Sequence, residues 1–352
     1  MRSPLFASLI LLAAGAALAA DDDFVGTWDM TLHQGRSIME GQLTIRRTDN
    51  GLVGHVEGGT VRLTISGSSI EMGVDDRTAA GMPFERYLRG RLENGSMSGE
   101  FGPEHGISAE TQALCEKLPL ACPAPSGTWT AVPQVAAKTS AVDPAPVDLS
   151  GEWVMAVGGI RRWTSDLTEA GSMRRSNFKV EMDLPGQRCL SPGLVGGWGF
   201  RGNDPEIYQT DDKVTIILGS EVRRVYLDDR RPPEYTEGYP LGFSAGHWEG
   251  STLVVETSLL QPGVREWVGD PISENARVIE RYSLDEDGLL VGVLTLYDPE
   301  NYNEPPIKRA RWRRARDTAI KFPSLCDPDS FYRELDDEGL LDQYWERSNY
   351  RY

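Results

Sequence analysis

Gly242-Phe243-Ser244-Ala245-Gly246-His247-Trp248-Glu249-Gly250-Ser251-Thr252-Leu253-Val254-Val255-Glu256-Thr257 opens with the letters G-x-S-x-G, and its reading decides the fold. A serine hydrolase needs a strand that turns sharply into a helix at the serine, and a later histidine to take the serine proton. Here a Gly-centred turn and a β-branched strand follow the serine instead. No histidine lies beyond His247, and His33, His55 and His105 all precede the serine, so the order Ser, Asp, His is not available. The stretch reads as strand, turn, strand, and the chain as all-β.

Composition agrees. With 352 residues the chain exceeds the usual size of one domain, and 37 glycines with 22 prolines favour many turns over long helices. The net charge of −17 argues against nucleic acid or an anionic membrane surface as partner. Met1-Arg2-Ser3-Pro4, the apolar run Leu5 to Ala17 and the small residues Ala17-Leu18-Ala19 read as a signal peptide over residues 1–19. The apolar run is too short to span a bilayer, so no integral membrane segment is expected. Export to the periplasm or beyond is.

Residues 21–133 read as a run of hairpins. Strands are expected at Val25 to His33, Ile38 to Arg46, Leu52 to Glu57, Thr60 to Ser66, Ile70 to Val74, Phe84 to Leu92, Ser96 to Phe101 and Thr128 to Val132. Asn50-Gly51 and Asn94-Gly95 supply strong turns, Gly58-Gly59 and Gly67-Ser68-Ser69 weaker ones. Alternation puts Trp28, Met30 and Leu32 on one face, with Asp29, Thr31 and His33 on the other. Gln134 to Val147, rich in Ala and Pro, reads as a linker spanning residues 134–147.

A second module, 148–352, expects strands at Gly151 to Val157, Val214 to Leu218, Val222 to Leu227, Thr252 to Ser258, Ala276 to Leu284, Leu289 to Tyr297 and Ile307 to Arg314, then a docking C-terminal helix within Ser330 to Arg347. Both modules open on G-x-W, Gly26-Thr27-Trp28 and Gly151-Glu152-Trp153, and Arg311-Trp312-Arg313-Arg314 offers late-strand arginines to cap the second tryptophan. In this the chain resembles the lipocalin-like (calycin) barrels. That likeness implies two antiparallel β-barrel-like modules. The second module also resembles an uncharacterised exported bacterial family. The matching residues are Arg188 to Leu194, Pro205 to Thr210, Arg223 to Asp228, Gly246 to Gly250, Thr252 to Thr257, Ser273-Glu274, Val278 to Tyr282 and Asp298 to Tyr302, within residues 185–305. Where that family commonly reads G-H-S, this chain has Gly242-Phe243-Ser244. The resemblance implies no activity.

Four cysteines in an exported chain are expected to pair, and we place the bonds within modules as Cys115–Cys122 and Cys189–Cys326. No metal is expected, because no Cys-x-x-Cys or histidine cluster accompanies them and Asp285-Glu286-Asp287-Gly288 lacks the distal ligand of a calcium loop. No cofactor is expected either. Gly197-Trp198-Gly199-Phe200-Arg201-Gly202 matches the dinucleotide fingerprint by letter but runs into Asn203-Asp204-Pro205 rather than a helix.

The candidate site residues are acids that interrupt apolar faces. Glu280 shares a face with Val278, Tyr282 and Leu284, and Glu256 shares one with Val254. Such a carboxylate suits a ligand hydrogen bond or acid–base chemistry; the structural alternative pairs Glu280 with Arg224 or Arg281, or leaves it in solvent. Trp198, Trp248 and Trp267 either line an aromatic pocket or fill a core. The leading functional expectation is non-catalytic binding of a small apolar or amphipathic molecule in the second barrel, at Glu280, Glu256, Tyr282, Arg224 and Trp248. The alternatives are a cofactor-independent hydratase, isomerase or lyase using Glu280 or Glu256, and an envelope interaction protein without ligand. Oligomeric state is left open. A fluorophosphonate probe should leave Ser244 unlabelled in the intact protein, and mass spectrometry of the treated chain reads this directly.

Overall fold

A computed structural model of the chain describes residues 21–35, 37–77, 83–103, 126–134, 146–159, 166–200, 202–219, 221–228, 230–232, 237–265, 269–316 and 327–348. The signal peptide, most of the expected linker, Trp267 and three cysteines (Cys115, Cys122 and Cys326) lie outside the described residues.

All eight strands expected before residue 134 form: β1 (Gly26–Gln34), β2 (Ser37–Thr48), β3 (Gly51–Val56), β4 (Gly59–Ser66), β5 (Ser69–Arg77), β6 (Pro83–Glu93), β7 (Ser96–Pro103) and β8 (Gly127–Pro133). Each pairs antiparallel with the next, and β8 returns to β1 with Leu32 opposite Trp129. Trp28, Met30 and Leu32 point inward against Leu43, Ile45, Met72, Leu88 and Trp129, while Asp29 and His33 face outward.

The second circuit is a closed barrel of nine strands. It comprises β9 (Gly151–Gly159), β10 (Pro205–Gln209), β11 (Lys213–Leu218), β12 (Glu221–Tyr226), β13 (Phe243–Glu249), β14 (Thr252–Ser258), β17 (Arg277–Leu284), β18 (Leu290–Tyr297) and β19 (Ile307–Arg314), which returns to β9. A short ribbon of β15 (Gly263–Arg265) and β16 (Asp270–Ile272) stands apart from it. The stretch from Gly242 to Thr257 is β13, a turn and β14, paired from Phe243 opposite Ser258 to Glu249 opposite Thr252. Its core is built on Trp153, Trp198, Val255, Val278, Leu294 and Trp312. Gly292 is obligatory there, since a Cβ would stand 2.7 Å from the Trp312 ring and 2.9 Å from that of Trp198.

Both G-x-W tryptophans use the same device. Trp28 donates its indole N–H to the Phe24 carbonyl and Trp153 donates to Leu149, each at 3.0 Å and four residues back. Arg314 lies over the Trp153 ring at 4.6 Å and donates to the Ser150 carbonyl.

Three expectations are corrected. The sheet is mixed rather than antiparallel: β12 and β13 run parallel, with Val225 opposite Ser244, a pairing that needs a crossover connection instead of a hairpin. The two circuits are not separate sheets, since β2 also pairs parallel with β9 through Met39 opposite Gly158 and Glu40 opposite Gly159. The C-terminal helix is two helices, Pro328–Asp337 and Leu341–Ser348, interrupted where Gly339 takes a left-handed φ of 69°. Phe331, Leu335 and Tyr344 pack on Met182, so the segment does dock.

The seam between the circuits centres on the β3–β4 turn. Glu57 (φ 50°) and Gly58 (φ 83°) are both left-handed there, the geometry of a tight hairpin turn that favours Asn-Gly over Glu-Gly. Gly58 is required because a Cβ would fall 2.4 Å from the Pro305 carbonyl of the second circuit. Glu57 is 2% exposed and accepts from Arg309 Nε of β19 at 2.9 Å and from the Gln42 amide. Burial pushes its carboxyl from 4.5 up to about 7, against the opposing charge and hydrogen bond of Arg309. The folded chain therefore holds a proton that the unfolded chain has released. Stability from this group is full below pH 4.5 and lost as pH rises through 7, a difference on the order of 3 kcal/mol. Glu57→Gln should flatten that part of the stability profile, as urea unfolding at pH 5 and pH 8 would read.

Candidate functional site

Alternation along β17 places Val278, Glu280 and Tyr282 inside the barrel, and all three are buried. Glu280 is wholly buried and meets Arg223 of β12 in a two-pronged ion pair, Nη1 to Oε1 at 2.9 Å and Nη2 to Oε2. Arg223 also donates from Nε to Ser244 Oγ at 2.9 Å and from Nη2 to Thr257 Oγ1 at 2.7 Å, and the two hydroxyls lie 2.9 Å apart. Tyr282 donates to Glu280 Oε1 at 2.6 Å and accepts from Trp198 Nε1 at 2.6 Å. One polar network thus crosses the barrel interior from β12 through β13, β14 and β17 to Trp198.

Its electrostatics fix the protonation of its ends. Burial raises the Tyr282 phenol well above its ordinary range, and the Glu280 charge adds to this while Arg223 opposes it, so Tyr282 stays a neutral donor. Burial alone would lower the Arg223 pKa, but the charge and hydrogen bonds of Glu280 and Tyr282 outweigh it and raise it instead. Ser244 has no histidine in this network; its hydroxyl serves Arg223 and Thr257.

The remaining expected residues are dispersed. Glu256 points outward, exposed, toward Arg277 Nη1 at 3.2 Å, because Leu253, Val255 and Thr257 take the inward positions of β14. Arg224 is likewise outward, and its neighbour Arg223 is the inward cation. Alternation held that signal: Arg223 shares its face with buried Val225 and half-buried Leu227. Trp248 packs half-buried at the edge of the second core, while Trp198 is buried and meets Trp312 edge-on at 5.5 Å. Cys189 is disulfide-bonded, with its partner outside the described residues.

Two clefts formed by described residues reach solvent, and neither is lined by Glu280. One lies at the end of the second barrel. Leu190, Leu194 and Val195, within or just after a stretch noted for its family resemblance, face Leu260, Val264 and Ile272 across it, with Asp183 and Arg188 among the polar lining. Arg188 donates from Nη2 to the Asp183 carbonyl at 3.0 Å, but its buried Nε has no partner. The other lies at the seam around Glu57. Sequence reasoning found neither, because each wall comes from segments distant in the chain. Among the described residues no group of three His, Cys, Asp or Glu is placed to hold a metal, and no helix is long and apolar enough to cross a membrane.

The geometry defines an all-β barrel protein with two solvent-reaching clefts. Comparison by sequence finds no family model and no curated protein that matches the chain. Among solved structures, a protein of unknown function of the DUF3598 family from Nostoc punctiforme is similar over 84% of this chain and 99% of its own, at 8% identity and a TM-score of 0.24. Aeromonas veronii immune modulator A is similar over 82% of this chain and 94% of its own, at 9% identity and a TM-score of 0.23. Likeness at that level says nothing of chemistry.

The Arg223–Glu280 network behaves as a structural unit in this geometry. Glu280→Gln leaves a buried arginine uncompensated and should lower the unfolding free energy by about 3–5 kcal/mol. Glu256→Gln, in an exposed pair, should change it by less than about 1 kcal/mol. Urea denaturation of both variants beside the wild type compares them.

Proposed function

We propose that this is an exported, non-catalytic binding protein of paired calycin-like barrels, and that it takes a small amphipathic molecule with an anionic or hydrogen-bond-accepting head. The barrel interior around Glu280 is occupied by its own side chains, so the ligand is assigned to the cleft at the end of the second barrel. The observation that carries this reading is the unpartnered, buried Arg188 Nε–H beside apolar walls of Leu190, Leu194, Leu260 and Val264. A buried donor without an acceptor costs roughly 1–3 kcal/mol, and a carboxylate head would recover it. Export is supported by the signal-like residues 1–19 and by the disulfide at Cys189, which suits an oxidising compartment. We assign its partner as Cys326, since the helix that follows packs against the Pro185–Arg188 turn.

The test is a titration of the full mature chain with 1-anilinonaphthalene-8-sulfonate, displaced by dodecanoate. Saturable fluorescence with displacement is expected, and Arg188→Ala should weaken dodecanoate about tenfold, the worth of one charge-assisted hydrogen bond. Absence of saturable binding, or the same dodecanoate affinity in Arg188→Ala, would remove the proposal.

A further inference from the structure

The seam cleft has a chemistry of its own. Its floor is Glu57, buried at 2% exposure, with Oε1 engaged by Arg309 and the Gln42 amide but Oε2 without a hydrogen-bond partner. Beside it stands His55, whose ring Nδ1 is also buried and unpartnered. The opposite wall comes from the second circuit: Thr295 and Tyr297 on β18, then Glu304 and Pro305. A second carboxylate, Glu304, pairs with Arg46 at 3.5 Å. A carboxylate oxygen and a ring nitrogen, both buried and without a hydrogen-bond partner, therefore belong to residues that line a space between two pieces of the fold. The turn that delivers Glu57 is also one that a glutamate side chain disfavours, and strain of that kind clusters at ligand clamps.

We propose that the seam cleft binds a small primary ammonium compound, whose N–H donors are received by Glu57 Oε2 and His55 Nδ1. A cation fits better than an anion or a neutral polar molecule. The unmet group is an acidic oxygen, Glu304 adds a second negative charge, and Arg309 is already committed to Oε1. An ammonium supplies both the missing charge and the missing donor, and both count for more where water is excluded. His55 fits the same picture: burial lowers its pKa, so near neutrality the ring carries no charge to repel a cation and keeps an acceptor nitrogen. Because Glu57 belongs to the first circuit and Tyr297 to the second, occupancy would also tie the circuits together. This site shares no residue with the cleft at the barrel end, so either assignment stands without the other.

Acidity should tune the binding. The charged or titratable groups acting on the site are Asp29 on β1, Arg46 on β2, His55 on β3, Tyr297 on β18, Arg309 on β19, Glu304 in the preceding loop, and Asp166 behind His55. With the Glu57 carboxyl near 7, its ionised fraction falls from about 90% at pH 8 to about 10% at pH 6, while an alkylammonium stays charged at both. Protonation of His55 on acidification would act in the same direction.

The experiment is calorimetric titration of the full mature chain with n-butylammonium chloride at low salt, with tetramethylammonium as a cation that cannot donate. Saturable binding of butylammonium is expected at pH 8, about tenfold weaker at pH 6 and at least tenfold weaker in Glu57→Gln, with tetramethylammonium failing to compete. Arg188→Ala, in the other cleft, should bind butylammonium as the wild type does. If Glu57→Gln does not fold, Thr295→Lys serves instead, placing its own ammonium in the cleft and abolishing binding of the free amine. No saturable binding, unchanged affinity in the folded variant, or equal affinity for tetramethylammonium, as net charge alone would produce, each overturns the proposal.

Discussion

The second barrel is organised around one buried ion pair. Arg223 and Glu280 stand on strands that are not neighbours, and the guanidinium also takes the hydroxyls of Ser244 on β13 and Thr257 on β14. Those two strands lie between the partners in the sheet, so the pair and its hydroxyls connect four consecutive strands across the interior. A charge so buried tolerates no other arrangement: each polar atom left without its partner would cost the desolvation of that atom in full. The parallel contact of β12 with β13, only two residue pairs long in an otherwise antiparallel barrel, is the place where such a clamp is needed. Ser244 belongs to that clamp.

Filling the interior this way has a consequence for function. With Trp198, Tyr282 and Trp312 packed around the network, the space a ligand would occupy in a hollow barrel is taken by side chains. The two clefts among the described residues are peripheral: the barrel end, where the segment around Arg188 meets the loop around Leu260, and the seam, where the β3–β4 turn meets the loop before β19. The barrel-end cleft is made largely by irregular backbone, where binding residues are often found, and the seam cleft largely by strand residues of both circuits.

The seam differs in character from the clamp. Arg223 and Glu280 satisfy each other, whereas Glu57 is buried with one oxygen answered and the other not. Burial of a carboxylate with a single partly exposed arginine raises its pKa rather than lowering it, which is the sign of a group whose surroundings are incomplete. The closeness of Gly58 to Pro305 and the β2–β9 pairing hold the two circuits at that distance.

Much of this was legible in the sequence, because it depends on short-range rules. Asn-Gly turns and two-residue alternation placed all eight strands of the first circuit, put Trp28 inward, turned Glu280 toward the core and denied Ser244 an elbow. The same alternation was misapplied at Glu256, where Val254 lies on the outer face and is covered by other parts of the fold, so an apolar neighbour did not mark the inside. It was available but unused at Arg223. Three strands, β10, β15 and β16, went unassigned because they are short and Pro205 and Pro271 weaken the local signal, and pairing supplies what propensity lacks. The parallel contacts, the partner of Glu280 and both clefts were decided by tertiary structure alone. Each depends on which distant segments meet, and periodicity fixes the face a residue occupies without fixing what stands opposite it.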